Sequence, residues 1–198
     1  MNARPAPPGA APPGNGWPVL ALLVSLLVLP FVIAGGLYLS GWQPGRSSQH
    51  GVLLQPPQAL PASGLLGPDG RPLATVELQG KWLLVLFGNG PCDDACSRRV
   101  DEMRRVQVSL NKEMGRLQRV ILTDTPNDAG WRAWRARQPD LLVAAAPQPW
   151  LPGLAGGSTY RLGIVDPHGY LVLTYPPEVA AGDLRFDLER LLKFSWTG

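Results

Sequence analysis

Hydrophobic and polar positions divide the 198-residue chain into zones of different periodicity. From Trp17 to Trp42, "WPVLALLVSLLVLPFVIAGGLYLSGW", about 26 residues pass without a charge, against roughly 20 that a helix needs to cross the hydrocarbon core. The run predicts a transmembrane helix. Trp17 and Trp42 bracket it, with Tyr38 nearby. At about 1.5 Å per residue the two indoles would lie roughly 37 Å apart, suited to the two headgroup layers. Pro30 is expected to kink the span without breaking it, because a lipid-buried backbone has no better option than helix. A cleaved signal peptide is the alternative; against it, the run is long and "IAGG" is a weak cleavage site.

Beyond the span the pattern alternates between strand-like and helix-like runs. "GLLGPDGRPLATVELQG" places the turn signal Pro68–Gly70 between short apolar runs and predicts a hairpin. "KWLLVLFG", Lys81 to Gly88, is nearly continuous in apolar residues, as in a strand covered on both faces. Val100, Met103, Val106, Leu110, Met114 and Leu117 recur every three to four residues among Arg, Asp, Glu and Lys, which predicts an amphipathic helix. "RVILTD" (Arg119 to Asp124) reads as a second strand, and Asn127 to Gln138 as a second helix capped by Asn127 or Asp128. "LLVAAA" is a weaker strand and "PQPWLPGLAGG" a loop. "TYRLGIVD", "PHG" and "YLVLTY" form a hairpin, and Gly182 to Phe194 a closing helix with Leu184, Leu188, Leu191 and Leu192 inward. Strand-then-helix units argue an α/β domain with helices on both faces of a sheet that the closing hairpin makes mixed. This is the element order of a thioredoxin-like domain, preceded by one transmembrane helix.

Charge sharpens the division. The 18 basic and 15 acidic residues nearly balance, which gives no reason to expect a nucleic-acid partner. After Arg4 the next charge is Arg46. Residues 1–16, mostly Pro, Ala and Gly, read as a disordered tail. Residues 17–42 are the span in contact with membrane lipid, 43–60 a Pro-, Gly-, Ser- and Gln-rich linker, and 61–198 the domain. Arg4 and the α-amino group against Arg46 favour a cytoplasmic N-terminus. The domain is then expected on the periplasmic side of a bacterial inner membrane, where a thiol pair meets an oxidising environment.

The only cysteines, Cys92 and Cys96, stand where the first long strand hands over to its helix. Gly88, Gly90 and Pro91 let the chain turn out of the strand, and Asp93 or Asp94 can cap the helix. Residues four apart on a helix share a face, which puts the two Cα atoms about 6 Å apart, inside disulfide range. The same proximity suits copper(I), a soft ion that prefers sulfur. A helix N-terminus favours the thiolate of Cys92; Asp93 and Asp94 oppose this, and Arg98 and Arg99 partly offset them. A permanent staple is the third possibility, though a loop this short restrains little chain entropy.

"FGNGPCDDAC" after an apolar strand resembles the Sco/SenC proteins, membrane-anchored thioredoxin-fold factors of cytochrome c oxidase maturation with the pattern Phe-Gly-x-Thr-x-Cys-Pro-x-x-Cys. Phe87, Gly88, Cys92, Asp94 and Cys96 match that family's positions, and the likeness runs over roughly Gly64 to Phe194, including "IVDPHGYLV". Two departures stand out. Asp93 replaces the proline after the first cysteine, and the family's copper-ligand histidine is missing: "GGST" occupies its place, with Ser158 near its position. Of the two histidines, His168 falls in a turn at the far end of a strand, roughly 20 Å from the cysteines at about 3.3 Å per residue. His50 lies in the linker. "GSTY" also lacks the cis-proline of many thioredoxin-like reductases, which favours a narrow client.

The resemblance therefore implies a factor in oxidase assembly acting by thiol-disulfide exchange, with Cys92 attacking and Cys96 resolving. The client would be an oxidase subunit or a copper carrier. The alternatives are a copper(I) chaperone using Cys92 and Cys96 as metal ligands, and a scaffold with a fixed disulfide. Trp131 and Trp134 read as core, Trp150 in its Pro-rich loop as a partner contact, and the Arg-rich helix faces as solvated surface.

Overall fold

The structure, a computed structural model, describes residues 16–41, 49–61, 64–73, 78–147 and 160–195. The chain divides into two compact units, Met1–Ser47 and Ser48–Gly198.

In the first unit, helix α1 (Trp17–Leu39) runs unbroken through Pro30, with a proline in its first turn and no buried residue. Its length and composition are those of a membrane span. Trp42, expected as the second interfacial anchor, lies outside the described residues, as does the tail 1–15.

The second unit is built on a six-stranded sheet in the order β1-β6-β5-β2-β3-β4. Strand β2 (Trp82–Phe87) is buried along its whole length. It earns that position by its unbroken apolar run, with β3 (Leu117–Leu122) parallel on one side and β5 (Arg161–Val165) antiparallel on the other. Strand β4 (Leu142–Ala144) extends the parallel half from β3. Strand β6 (Tyr170–Thr174) pairs antiparallel with β5 across the expected turn. The sheet is mixed, as expected.

Three local differences from the sequence reading have physical causes. Residues 43–60 were expected to be linker, but Val52–Ala59 forms β1, an antiparallel edge strand on β6 with a bulge between Leu53 and Gln58. Pro56 and Pro57 obscure it in sequence; prolines are tolerated at a sheet edge, where a missing N–H leaves no ladder bond unmade. The early hairpin is reduced to a bridge between Leu66 and Pro72, closed by a Gly67 N–H to Arg71 carbonyl bond of 2.8 Å. Helix α2 (Asp94–Ser109) stops short of the apolar period, which continues to Leu117. Asn111 adopts a left-handed φ of 51°, its side chain bonded to the Ser109 carbonyl at 3.1 Å, a conformation that asparagine tolerates and a continuing helix does not. A 3₁₀ stretch (Asn111–Arg116) follows, and Leu117 opens β3 opposite Trp82.

Helix α3 (Ala129–Arg137) is capped by Asp128, whose side chain accepts from the Gly130 N–H, and it buries Trp131 and Trp134. Helix α4 (Ala181–Phe194) buries Leu184, Leu188 and Leu192. Among the described residues all three helices pack on one face: Leu84 and Leu86 of β2 share a cluster with Val100, Met103, Trp131 and Leu188. Leu83, Val85 and Phe87 face the other way, toward Leu60, Leu65 and Leu78. The second face carries Leu78 as its one helical position among the described residues, so the three long helices load a single face of the sheet. The turn segments between β1 and β2 supply apolar residues to the second face. Arg119, alone among the β3 side chains of the helical face, is charged and fully buried. Its guanidinium donates to Gln107 at 2.7 Å, to Gln138, and to Asp140 at 2.7 Å, which supplies the partners a buried charge requires.

Candidate redox and metal site at the β2–α2 turn

The chain leaves β2 at Phe87 and reaches α2 at Asp94 through six residues held from several directions. The Gly88 N–H donates to the Leu122 carbonyl at 3.0 Å, continuing the β2–β3 ladder. A Cβ at Gly88 would lie 2.8 Å from the Tyr160 ring, so only glycine fits beneath that side chain. Gly90 sits at a φ of 80°. Its N–H donates to Asp124 at 2.7 Å, and its carbonyl accepts from the Tyr160 hydroxyl at 2.7 Å. The same hydroxyl meets Thr123 Oγ1 at 2.9 Å. Burial first, and the nearby Asp124 and Asp128 charges, push the Tyr160 phenol above its ordinary range against the Thr123 hydrogen bond. The neutral phenol is therefore the form that clamps the loop.

Cys92 and Cys96 are joined as a disulfide, with Cα atoms 5.2 Å apart. Their closeness arises differently from the expectation. Cys92 is not on the helix: Asp93 is the N-cap, accepting from the Cys96 N–H at 2.8 Å, and the helix begins at Asp94. The acidic residue standing in place of the family's proline thus has a structural task. Nor are both sulfurs open to water. Cys92 is half-buried, whereas Cys96 is 2 % exposed and packs among Leu86, Val100 and the helical-face core. Ser97 Oγ lies 3.8 Å from Cys92 Sγ, a polar neighbour that the sequence reading passed over although it directly follows Cys96.

Arg99 has its hydrogen bonds elsewhere than at the cysteines. Its guanidinium bonds Glu102, the Val179 carbonyl at 2.7 Å and the Pro177 carbonyl. This fastens the β6–α4 loop beside α2. The result is a groove of about 550 Å³ bordered by Cys96, Arg98, Tyr160, Pro177 and Val179. Tyr160, Thr123 and Asp124 were not recognised from sequence. They lie 27 residues or more from either cysteine and carry no local motif.

The remaining predicted ligands separate. His168 lies in the β5–β6 turn, its N–H on Asp166, beyond the Val165 end of β5 that pairs with Leu83. The cysteine loop leaves from Phe87, at the opposite end of β2. His50 does fold back on the domain, but onto α4. Its backbone N–H and that of Gly51 each donate to Asp187 Oδ2 at 2.9 Å, and its ring stands 3.4 Å from Asp183 and edge-on to Phe186. Tyr175 also donates to the buried Asp187, at 3.0 Å. Ser158 and Trp150 lie outside the described residues. Among the described residues no group of three or more His, Cys, Asp and Glu gathers as a metal cage. The described donors fit two-sulfur holding of a copper(I) cargo, after reduction, and not a three-ligand copper(II) centre.

Comparison with known proteins agrees with this geometry. Residues 82–195 match the family described as transmembrane-like, thioredoxin-like, C-terminal domain. A Stutzerimonas stutzeri protein, whose name proposes it as copper-binding, is 36% identical over 80 residues, which is 39% of this chain and 39% of that protein. The match thus spans well under half the length of that relative. Among solved structures, apo Sco1 of Thermus thermophilus superposes with a TM-score of 0.52 at 22% identity, over 76% of this chain and 98% of its own. Copper-bound yeast Sco1 superposes at 0.54 with 19% identity, over 68% and 95%. A thiol:disulfide interchange protein of Bacteroides sp. superposes at 0.50 with 14% identity, over 71% and 91%. These likenesses establish a shared fold, the one the cysteine motif implied. With its family match spanning more than half its length, the chain belongs to the transmembrane-like, thioredoxin-like C-terminal domain family.

Proposed function

We propose that this chain is a membrane-anchored, Sco-like factor of cytochrome c oxidase assembly. In this reading Cys92 and Cys96 exchange a disulfide with cysteines of a copper-site client, either an oxidase subunit or a copper carrier. The observation that carries the reading is the asymmetry of the pair: one sulfur half-open to water at the loop, its partner buried behind the first helical turn. Such a pair forms mixed disulfides through one sulfur and resolves them through the other. In the reducing direction, the Cys92 thiolate attacks a client disulfide, forming a Cys92–client bond and releasing one client thiolate. The Cys96 thiolate then attacks Cys92 Sγ, closing the Cys92–Cys96 disulfide and releasing the second. Two electrons pass to the client. Exchange needs no third ligand, so the missing histidine leaves it intact.

A second reading, carriage of copper(I) between the same sulfurs, is favoured by the name of the Stutzerimonas relative and by the copper-bound state of the yeast protein. In both readings α1 anchors the domain on the periplasmic face of the inner membrane, which places the disulfide in an oxidising compartment.

Trapping separates the readings. With Cys96→Ser in cells, a mixed disulfide through Cys92 is the expected product. If no partner is trapped and the reduced chain binds one copper(I) tightly, the carrier reading replaces exchange. A pair that resists the glutathione pool and binds no copper would leave only the scaffold.

A further inference from the structure

Ser97 directly follows Cys96 in the first turn of α2. Its backbone N–H donates to the Asp93 carbonyl at 2.8 Å, as the helix requires. Its side chain departs from the other helical serines. Ser25 within α1, Ser40 at the C-cap of α1 and Ser109 at the end of α2 each donate to the carbonyl three residues earlier, at 2.9, 2.9 and 2.7 Å. Such a carbonyl is the usual local partner of a serine hydroxyl on a helix. The Ser97 hydroxyl takes no carbonyl among the described residues, and its one polar contact is Cys92 Sγ at 3.8 Å.

The disulfide fixes the direction of that contact. A bridged sulfur carries no hydrogen, so the hydroxyl donates and the sulfur accepts. The neighbouring polar groups are engaged elsewhere. Asp93 caps the Cys96 N–H, Arg99 holds the Val179 carbonyl, and the Tyr160 hydroxyl spends its hydrogen on the Gly90 carbonyl. Cys96, buried among Leu86 and Val100, has no donor at its sulfur among the described residues. Cys92 and Ser97 are both half-buried, so water competes only in part for the hydroxyl.

We propose that the Ser97 hydroxyl is a working part of the thiol pair: it donates to the Cys92 sulfur through the exchange cycle and shifts the Cys92–Cys96 couple toward its dithiol form. A bond donated to a charged sulfur is roughly twice as strong as one to a neutral acceptor. The hydroxyl therefore stabilises the opened pair, in which Cys92 attacks or leaves as thiolate, more than the bridged one. It also favours the half-open sulfur over the buried one as the bearer of that charge. The inference rests on the exchange reading for its use toward a client, though not for the equilibrium itself.

The test equilibrates the full chain in detergent micelles with reduced and oxidised dithiothreitol at one fixed pH. Two electrons pass from the dithiol to the bridge, giving cyclic oxidised dithiothreitol and the Cys92 and Cys96 thiols, and alkylation with mass spectrometry reads the ratio. Ser97→Val and Ser97→Thr are close in shape and differ in the hydroxyl. The equilibrium constant for reduction should fall about threefold or more in Ser97→Val and stay near the native value in Ser97→Thr. Ser97→Ala, which suits a helix, should match Ser97→Val and keeps the test decisive if valine disturbs the fold. A serine that only supports the helix would leave the hydroxyl without effect, so equal constants with and without it overturn the proposal, as does a rise on its removal. This equilibrium needs no client: failure to trap a partner through Cys92 would overturn the exchange reading and leave the Ser97 result standing.

Discussion

The hydroxyl of Tyr160 donates a 2.7 Å hydrogen bond to the carbonyl of Gly90, seventy residues earlier in the chain. The start of β5 thereby holds the loop that presents the disulfide. Tyr160→Phe removes this bond and the Thr123 contact while keeping the ring, and should cost roughly 1–3 kcal/mol in urea unfolding of the oxidised protein. The phenol's raised pKa gives the pH dependence: burial favours its neutral form in the fold. The contribution is full below the unfolded pKa of about 10 and is lost as pH rises through the higher folded value. The stability difference between native and Phe proteins should therefore shrink only in strong alkali, tracked by tyrosinate absorbance.

Gly88 and Gly182 provide a contrast of sign. Alanine at Gly88 meets the Tyr160 ring at 2.8 Å and its Cα at 3.0 Å, whereas alanine at Gly182 meets nothing within 4 Å. Gly88→Ala should destabilise by about 1–3 kcal/mol. Gly182→Ala, within α4, should stabilise by up to about 1 kcal/mol. Thermal unfolding of the two variants checks both; equal effects would contradict the close approach at Gly88.

After reduction, the burial difference predicts unequal reactivity. Cys92 is half-buried and Cys96 is 2 % exposed. Brief iodoacetamide treatment followed by mass spectrometry should find the label predominantly on Cys92. Equal labelling would contradict the division into attacking and resolving sulfurs.

Asp187 accepts from the backbone of His50 and Gly51 and from the Tyr175 hydroxyl, all in a buried setting. Asp187→Ala strands these donors and should cost roughly 3 kcal/mol or more. Amide exchange should accelerate first at Gly51 and in β1, while β2 stays protected.

Asp140 gives the acid counterpart. Burial alone would raise its pKa, but the Arg119 hydrogen bond and charge outweigh it and hold the carboxyl below its usual value of 3.8. Its contribution is present above the unfolded pKa and is lost as pH falls through the lower folded one. Asp140→Asn should therefore be less stable than the native protein at neutral pH and converge with it below about pH 4.

How much of this was legible beforehand follows from the range of each interaction. The span, β2, the α2 stripe Val100–Met103–Val106, the Asp128 cap and the closing hairpin are written in local periodicity and turn chemistry. The cysteine spacing put a disulfide within reach, because four residues bring two sulfurs together with little help from the rest of the fold. Strand β1 was hidden because its prolines read as linker until β6 supplies a partner. The helix end at Ser109 was hidden because Met114 and Leu117 prolong the apolar period that Asn111 interrupts. What the tertiary structure alone decided is which sulfur meets water, what clamps their loop, and where His50 lies. Each depends on residues tens of positions apart meeting across the sheet, and no periodicity within one segment encodes such a meeting.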